Sequence, residues 1–176
     1  MSLEEERASS DRSVKRKGPG SRALRKGRIS LPGSCYCLTK KTLNRDSKPL
    51  QETGIPQVLI ESILWAQEEG HWRLLAFVVM PEHYHVVVSL GQSKDLKQVM
   101  KSINHHAALA INRLRGTRGS FWQEGFHDRC IRPHEDIHEY VTYIHMNPVR
   151  AGLAEHPEDW PWSSAHADYR EKVRWE

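Results

Sequence analysis

A chain of 176 residues with 38% hydrophobic and 27% charged side chains is the size of one domain and leaves little room for a second. No stretch approaches the ~20 apolar residues needed to cross a bilayer, and the N-terminus lacks the apolar run of a secretory signal, so neither a membrane-spanning nor an exported protein is expected. The formal net charge is +4, and Cys35, Cys37 and Cys130 form an odd set without paired spacing, which argues against a disulfide framework and for a reducing, cytoplasmic setting.

The charge is uneven. Residues 1–30 hold nine Lys/Arg against four Asp/Glu, whereas the rest of the chain is close to neutral. Arg12 to Arg28 read RSVKRKGPGSRALRKGR, a segment too poor in apolar surface to offset its ordering entropy. Residues 1–28 therefore read as a flexible basic arm, suited to a polyanion and above all to nucleic acid; a solubilising tail is the plainer alternative. Residues 29–176 read as the single folded domain.

After the turn Leu31-Pro32-Gly33, the segment SCYCLTK alternates Cys35, Cys37 and Thr39 with Tyr36 and Leu38, as in a half-buried strand. From Pro56, a helical stripe runs through Val58, Leu59, Ser62, Ile63 and Ala66 and stops at Gly70. HWRLLAFVVM (71–80) and HYHVVVSL (83–90) predict two strands joined tightly at Pro81-Glu82. Ser93 is the expected cap of a long helix reaching Arg115, with Leu96, Val99, Met100, Ile103, Ala107, Ala110, Ile111 and Leu114 as its buried stripe. A further strand or ribbon covers SFWQEGFHDRCI, a third helix spans His134 to Met146, and EDWPWSSAHADY forms an irregular flap. The order β-α-β-β-α-β-α predicts an α+β, ferredoxin-like sandwich: one antiparallel sheet with helices mainly on one face.

Chemistry concentrates in two places. His83 and His85, two apart on a strand, project from one face, where neutral imidazoles can converge on a divalent ion. A lone His-x-His pair is equally at home as ordinary surface or core histidine. On the third helix, Ile137, Tyr140, Val141 and Ile144 mark the core stripe, leaving Tyr143 one turn before Asn147 on another face. An oxygen ligand beside two imidazoles suits Mg²⁺ or Mn²⁺ engaging a phosphate. On spacing alone, Asn147 can equally close the helix before Pro148, with Tyr143 packed at its surface. Lys94, Lys97 and Lys101, at i, i+3 and i+7, together with Arg113, Arg115 and Arg118, form a candidate DNA-contacting series or a solvated helix face.

VVMPEHYHVVVSL, GSFWQEGFHDRCIR and EYVTYIHMNPVRAGL, in that order, resemble the transposase family of single-tyrosine HUH endonucleases, and within it the REP-associated branch. The resemblance covers about residues 28–168 and implies metal-dependent cutting and joining of single-stranded or hairpin DNA. By it, His83, His85 and Asn147 hold Mg²⁺ or Mn²⁺, and Tyr143 attacks the phosphorus, becoming linked to a 5′ phosphate. Tyr84 departs from the bulky hydrophobic residue usual between the two histidines; pointing outward, it leaves their geometry intact. Glu82 and His145 are nearer to ordinary surface groups than to proton relays. The resemblance further implies a cytoplasmic, nucleoid-associated protein, monomeric or homodimeric. A non-cleaving, hairpin-binding descendant of a transposase is the alternative.

Overall fold

The computed structural model describes residues 30–173, so the basic arm expected over residues 1–28 lies outside the described residues. Four strands, β1 (Cys35–Lys41), β2 (Trp72–Met80), β3 (His83–Leu90) and β4 (His127–Ile131), pair in the order β2-β3-β1-β4 with every neighbour antiparallel. α1 (Ile55–Glu68) connects β1 to β2 and α2 (Leu96–Arg115) connects β3 to β4, giving the expected ferredoxin-like arrangement. α3 (Ile137–His145) follows β4.

Strand alternation divides the core in two. Tyr36 and Leu38 of β1, Phe77 and Val79 of β2, and Tyr84, Val86 and Val88 of β3 face α1 and α2, meeting Leu59, Ile63, Met100 and Ile103. Ala76, Val78, Val87 and Ile131 face the other way and pack against Val141 and Ile144 of α3 and against Trp160. The two long helices thus share one face, and α3 lies on the other. β2 manages both roles through a bulge between Leu74 and Ala76, which resets its alternation.

Local chemistry explains the helix limits, and in places moves them from the expected positions. α1 begins with Pro56 in its first turn, where a missing N–H costs nothing. α2 is capped by Asp95, whose carboxylate accepts from the Gln98 N–H at 2.7 Å while the Gln98 side chain accepts from the Asp95 N–H at 3.0 Å. Ser93 is therefore not the cap; it bonds His71 Nδ1 at 2.8 Å, and Lys94 lies ahead of the helix. Asn104 joins the buried stripe of α2, whereas Leu114, expected to be buried, is 58% exposed where the final turn projects beyond the core. The third helix starts at Ile137, three residues later than expected, because the Asp136 side chain accepts from His138 N–H and caps it there.

The predicted ribbon narrows to β4 plus a single bridge, Thr42 to Trp122. Trp122 is buried, its indole N–H donating to Asn104 O at 2.9 Å. The C-terminal flap is anchored along β2: Val79 N–H donates to Trp162 O at 2.8 Å, Ser164 N–H to Phe77 O at 3.0 Å, and the Trp160 indole to Val79 O at 2.9 Å. Among the described residues no helix is long and apolar enough to cross a membrane.

Candidate active site

The β1–β3 register sets Thr39 opposite His85 and Lys41 opposite His83, so these four side chains share the face covered by α3. There the two imidazoles converge, His83 Nε2 lying 3.1 Å from His85 Nε2. Their remaining nitrogens are held from outside. Glu82 Oε1 lies 3.0 Å from His83 Nδ1 and accepts its proton, and Thr39 Oγ1 lies 2.8 Å from His85 Nδ1. Burial lowers the pKa of His83, with Glu82 opposing and Lys41 and Arg45 adding to the fall. Burial, the neighbouring His83 and Lys41 bring His85 down to about 3. Both rings are thus neutral bases near pH 7.

This arrangement fits a divalent ion. Two nitrogens about 2.1 Å from one ion and at right angles to each other stand about 3.0 Å apart. The Glu82 contact fixes the His83 tautomer with a free lone pair at Nε2. Thr39, as donor or acceptor, permits His85 either tautomer, so His85 can donate to His83 when alone or present a lone pair to a metal. Among the described residues no three His, Cys, Asp or Glu side chains gather as a metal cluster, which leaves oxygen donors of other kinds to complete a coordination sphere.

Tyr84, expected to point outward, is wholly buried on the opposite face, because one residue along a strand reverses the side chain's direction. Its ring meets Trp122 edge to face, and its hydroxyl donates to Asn104 Oδ1 at 3.0 Å. The substitution between the histidines is accommodated by the core under α2.

Tyr143 is 51% exposed on α3 and lines a cleft of about 870 Å³ together with Thr39, His127, Arg129 and Tyr140. Thr39 links this cleft to the histidines through its bond to His85. The Arg150 guanidinium lies 4.8 Å from the Tyr143 ring centroid. Asn147 is the first residue of a short helix, α4 (Asn147–Arg150), and its amide N–H₂ donates to Tyr143 O and Ile144 O, each at 3.2 Å. It therefore does close α3, and no hydrogen bond among the described residues joins it to either histidine.

Tyr140 corrects a simpler picture. Its ring packs partly on the core, as the apolar stripe implies, but its hydroxyl stands in the same cleft. There it accepts from Arg129 Nε at 2.7 Å and donates to Glu135 Oε1 at 2.9 Å. Glu135 also accepts from Arg132 N–H at 2.7 Å; that bond, followed by the Tyr140 contact, brings its carboxyl down to about 2.

The cationic series is split. Lys97 and Lys101 are exposed on α2, on the layer opposite the histidines, and Lys94 Nζ is engaged by His71 Nε2 at 2.9 Å at the far end of the sheet. Lys97 and Arg115 are about 27 Å apart along the helix. Arg113, Arg115 and Arg118 belong to the histidine end, where Thr42 N–H donates to Glu82 O and bridges to Trp122. Arg115 is already paired there with Glu52 at 3.0 Å. Sequence reasoning missed Thr39, Lys41 and Arg150 entirely, and it placed Glu82 among surface groups. Only the strand register joins Thr39 and Lys41 to the site, whereas adjacency to His83 is a usable signal for Glu82.

Comparison with known proteins agrees with this architecture. The chain is 29% identical over 146 residues to the REP-associated tyrosine transposase of Escherichia coli, spanning 80% of this chain and 82% of that one. It is 27% identical over 119 residues to a putative REP-associated tyrosine transposase of Haemophilus influenzae, spanning 60% and 66%. Its fold superposes with a TM-score of 0.67 and 28% identity on a structure described as a REP-associated tyrosine transposase bound to a REP hairpin, covering 84% of this chain and 86% of that one. The model of the family described as "Transposase IS200 like" matches residues 42–147, which include both histidines, Tyr143 and Asn147, and the chain belongs to that family.

Proposed function

We propose that this protein cuts and rejoins single-stranded DNA at hairpin-forming repeats of the REP type, with Tyr143 as nucleophile and with His83, His85 and Asn147 as ligands to Mg²⁺ or Mn²⁺. The observation that carries the reading is the convergence of two neutral imidazole nitrogens, 3.1 Å apart, on the sheet face covered by the helix that bears Tyr143. A divalent ion bound there supplies charge neutralisation and orientation for a scissile phosphate.

The chain's own groups do the rest. The Tyr143 oxygen bonds to phosphorus, the bond from phosphorus to the 3′ oxygen breaks, the phenol gives up its proton and the departing 3′ oxygen takes one. The phosphotyrosine bond retains the energy needed for attack by another 3′-hydroxyl, so rejoining requires no nucleotide cofactor. Arg113, Arg115 and Arg118, at the histidine end of α2, are suited to the phosphates or splayed bases of the strand leading into the site. Lys97 and Lys101 would reach only DNA that wraps onto the opposite layer, and Lys94 would first have to release His71.

The test is incubation of the full chain with labelled single-stranded hairpin repeat DNA, with and without Mn²⁺. A nicked product and a protein–DNA adduct, both lost with chelator and in His83→Ala and His85→Ala, are expected. Cleavage that survives chelation or either histidine substitution overturns the metal assignment. Tight hairpin binding by the wild type in Mn²⁺ without any cleavage selects the non-cleaving alternative.

A further inference from the structure

Lys41 places a cation beside the histidine pair. The register pairs it with His83, about 4.5–5.5 Å away between Cα atoms, and antiparallel partners project their side chains from the same face. The Thr39–His85 bond confirms that direction for the neighbouring pair. Lys41 is half-buried, and among the described residues it has no ion-pair partner. Its charge reaches both imidazoles. Its neighbour Lys40 points the other way and is used up structurally, donating to Gln123 O and to Gly125 O at 2.6 Å. A divalent ion held by the histidines would repel this ammonium directly, and an anion seated between the two cations would relieve that repulsion.

We infer that Lys41 is a phosphate-contacting residue of the DNA-cutting reaction, its ammonium completing with the histidine-bound ion a two-sided cradle for the scissile phosphate. The inference rests on the function proposed above and adds a group to it. With phosphate seated, the two cations face a shared anion rather than each other, and the charge that builds on the phosphoryl oxygens in the transition state is met from two directions. The same geometry makes Lys41 antagonistic to the metal whenever DNA is absent.

That double role gives a test whose two readouts move in opposite directions. The full chain carrying Lys41→Met, which keeps the length of the side chain, is compared with wild type and Lys41→Arg. Mn²⁺ affinity without DNA is followed by electron paramagnetic resonance, and cleavage of a single-stranded hairpin by gel. In Lys41→Met, Mn²⁺ should bind roughly threefold tighter or more, since a repelling charge is gone, while the cleavage rate at saturating DNA falls about a hundredfold. Lys41→Arg should restore much of the rate. Wild-type cleavage in Lys41→Met overturns the inference, as does a loss of Mn²⁺ binding, which would make Lys41 a prop for the histidines. Failure of the wild type itself to cut any strand is a failure of the broader reading, separable because the Mn²⁺ comparison needs no cleavage.

Discussion

The Tyr84 hydroxyl donates to Asn104 Oδ1 at 3.0 Å on the face of β3 opposite His83 and His85, tying the strand that carries the histidines to the middle of α2. Asn104 is held in turn, its side-chain amide donating to Met100 O and its backbone carbonyl accepting from the Trp122 indole. Tyr84→Phe leaves the Asn104 oxygen buried without its donor, a loss of about 1–3 kcal/mol. Urea denaturation should show a lower midpoint at unchanged slope. An unchanged midpoint would mean that water or a shifted Asn104 replaces the bond.

Tyr143 and Tyr140 open onto the same cleft, but their hydroxyls are held differently. The Tyr140 hydroxyl is fixed between Arg129 and Glu135, whereas the Tyr143 hydroxyl makes no hydrogen bond among the described residues. Tyr143→Phe should abolish the protein–DNA adduct while leaving Mn²⁺ binding and thermal stability as in wild type. Tyr140→Phe should keep the adduct and lose some rate, because the start of α3 is loosened. Peptide mapping that finds the adduct on Tyr140 reverses the assignment.

His71 should make stability depend on pH. Burial lowers its pKa from 6.5, the Lys94 cation lowers it further, and Glu69 partly opposes them. As a neutral ring it bonds both Ser93 and Lys94, and protonation would set two cations in contact. The folded chain therefore binds this proton less readily than the unfolded chain. Its contribution is whole above pH 6.5 and is lost as pH falls below that value toward the folded-state pKa. Stability measured at pH 7.5 and 5.5 should drop more in wild type than in His71→Gln; equal drops count against this role.

The three cysteines should differ in reactivity. Burial pushes the Cys37 thiol up to about 11, partly offset by Arg129, while Cys130 is exposed at the sheet's edge. At pH 8 only about one Cys37 in a thousand is then a thiolate. Iodoacetamide followed by mass spectrometry should label Cys130 first and Cys37 last. Early labelling of Cys37 would show that the β1 face opens readily.

The sheet and its helices were legible because period-two and period-3.6 patterns are local properties of the chain. The shared face of the two histidines and the outward placement of Tyr143 were legible for the same reason, each resting on a spacing of two or four residues. Thr39, Lys41 and Arg150 were not, since nothing near them in sequence says which strand or ring they will meet. Tyr84 misled because alternation fixes that it opposes the histidines without telling which face is covered by α1 and α2. Ser93 and Asp95 are both good caps, and the reciprocal Gln98 decided between them. Tyr140 sat on an apolar stripe, but a phenol is amphipathic: its ring followed the stripe and its hydroxyl left it.

The segment from Trp160 to Ser164 occupies the outer edge of β2, meeting the backbone groups of Phe77 and Val79 with its own backbone at Trp162 and Ser164 and with the Ser164 hydroxyl and the Trp160 indole. Over these residues the edge has no free backbone groups to offer a second strand. Truncation before Trp160 would trade a guarded edge for an adhesive one, bare along a strand as apolar as FVVM.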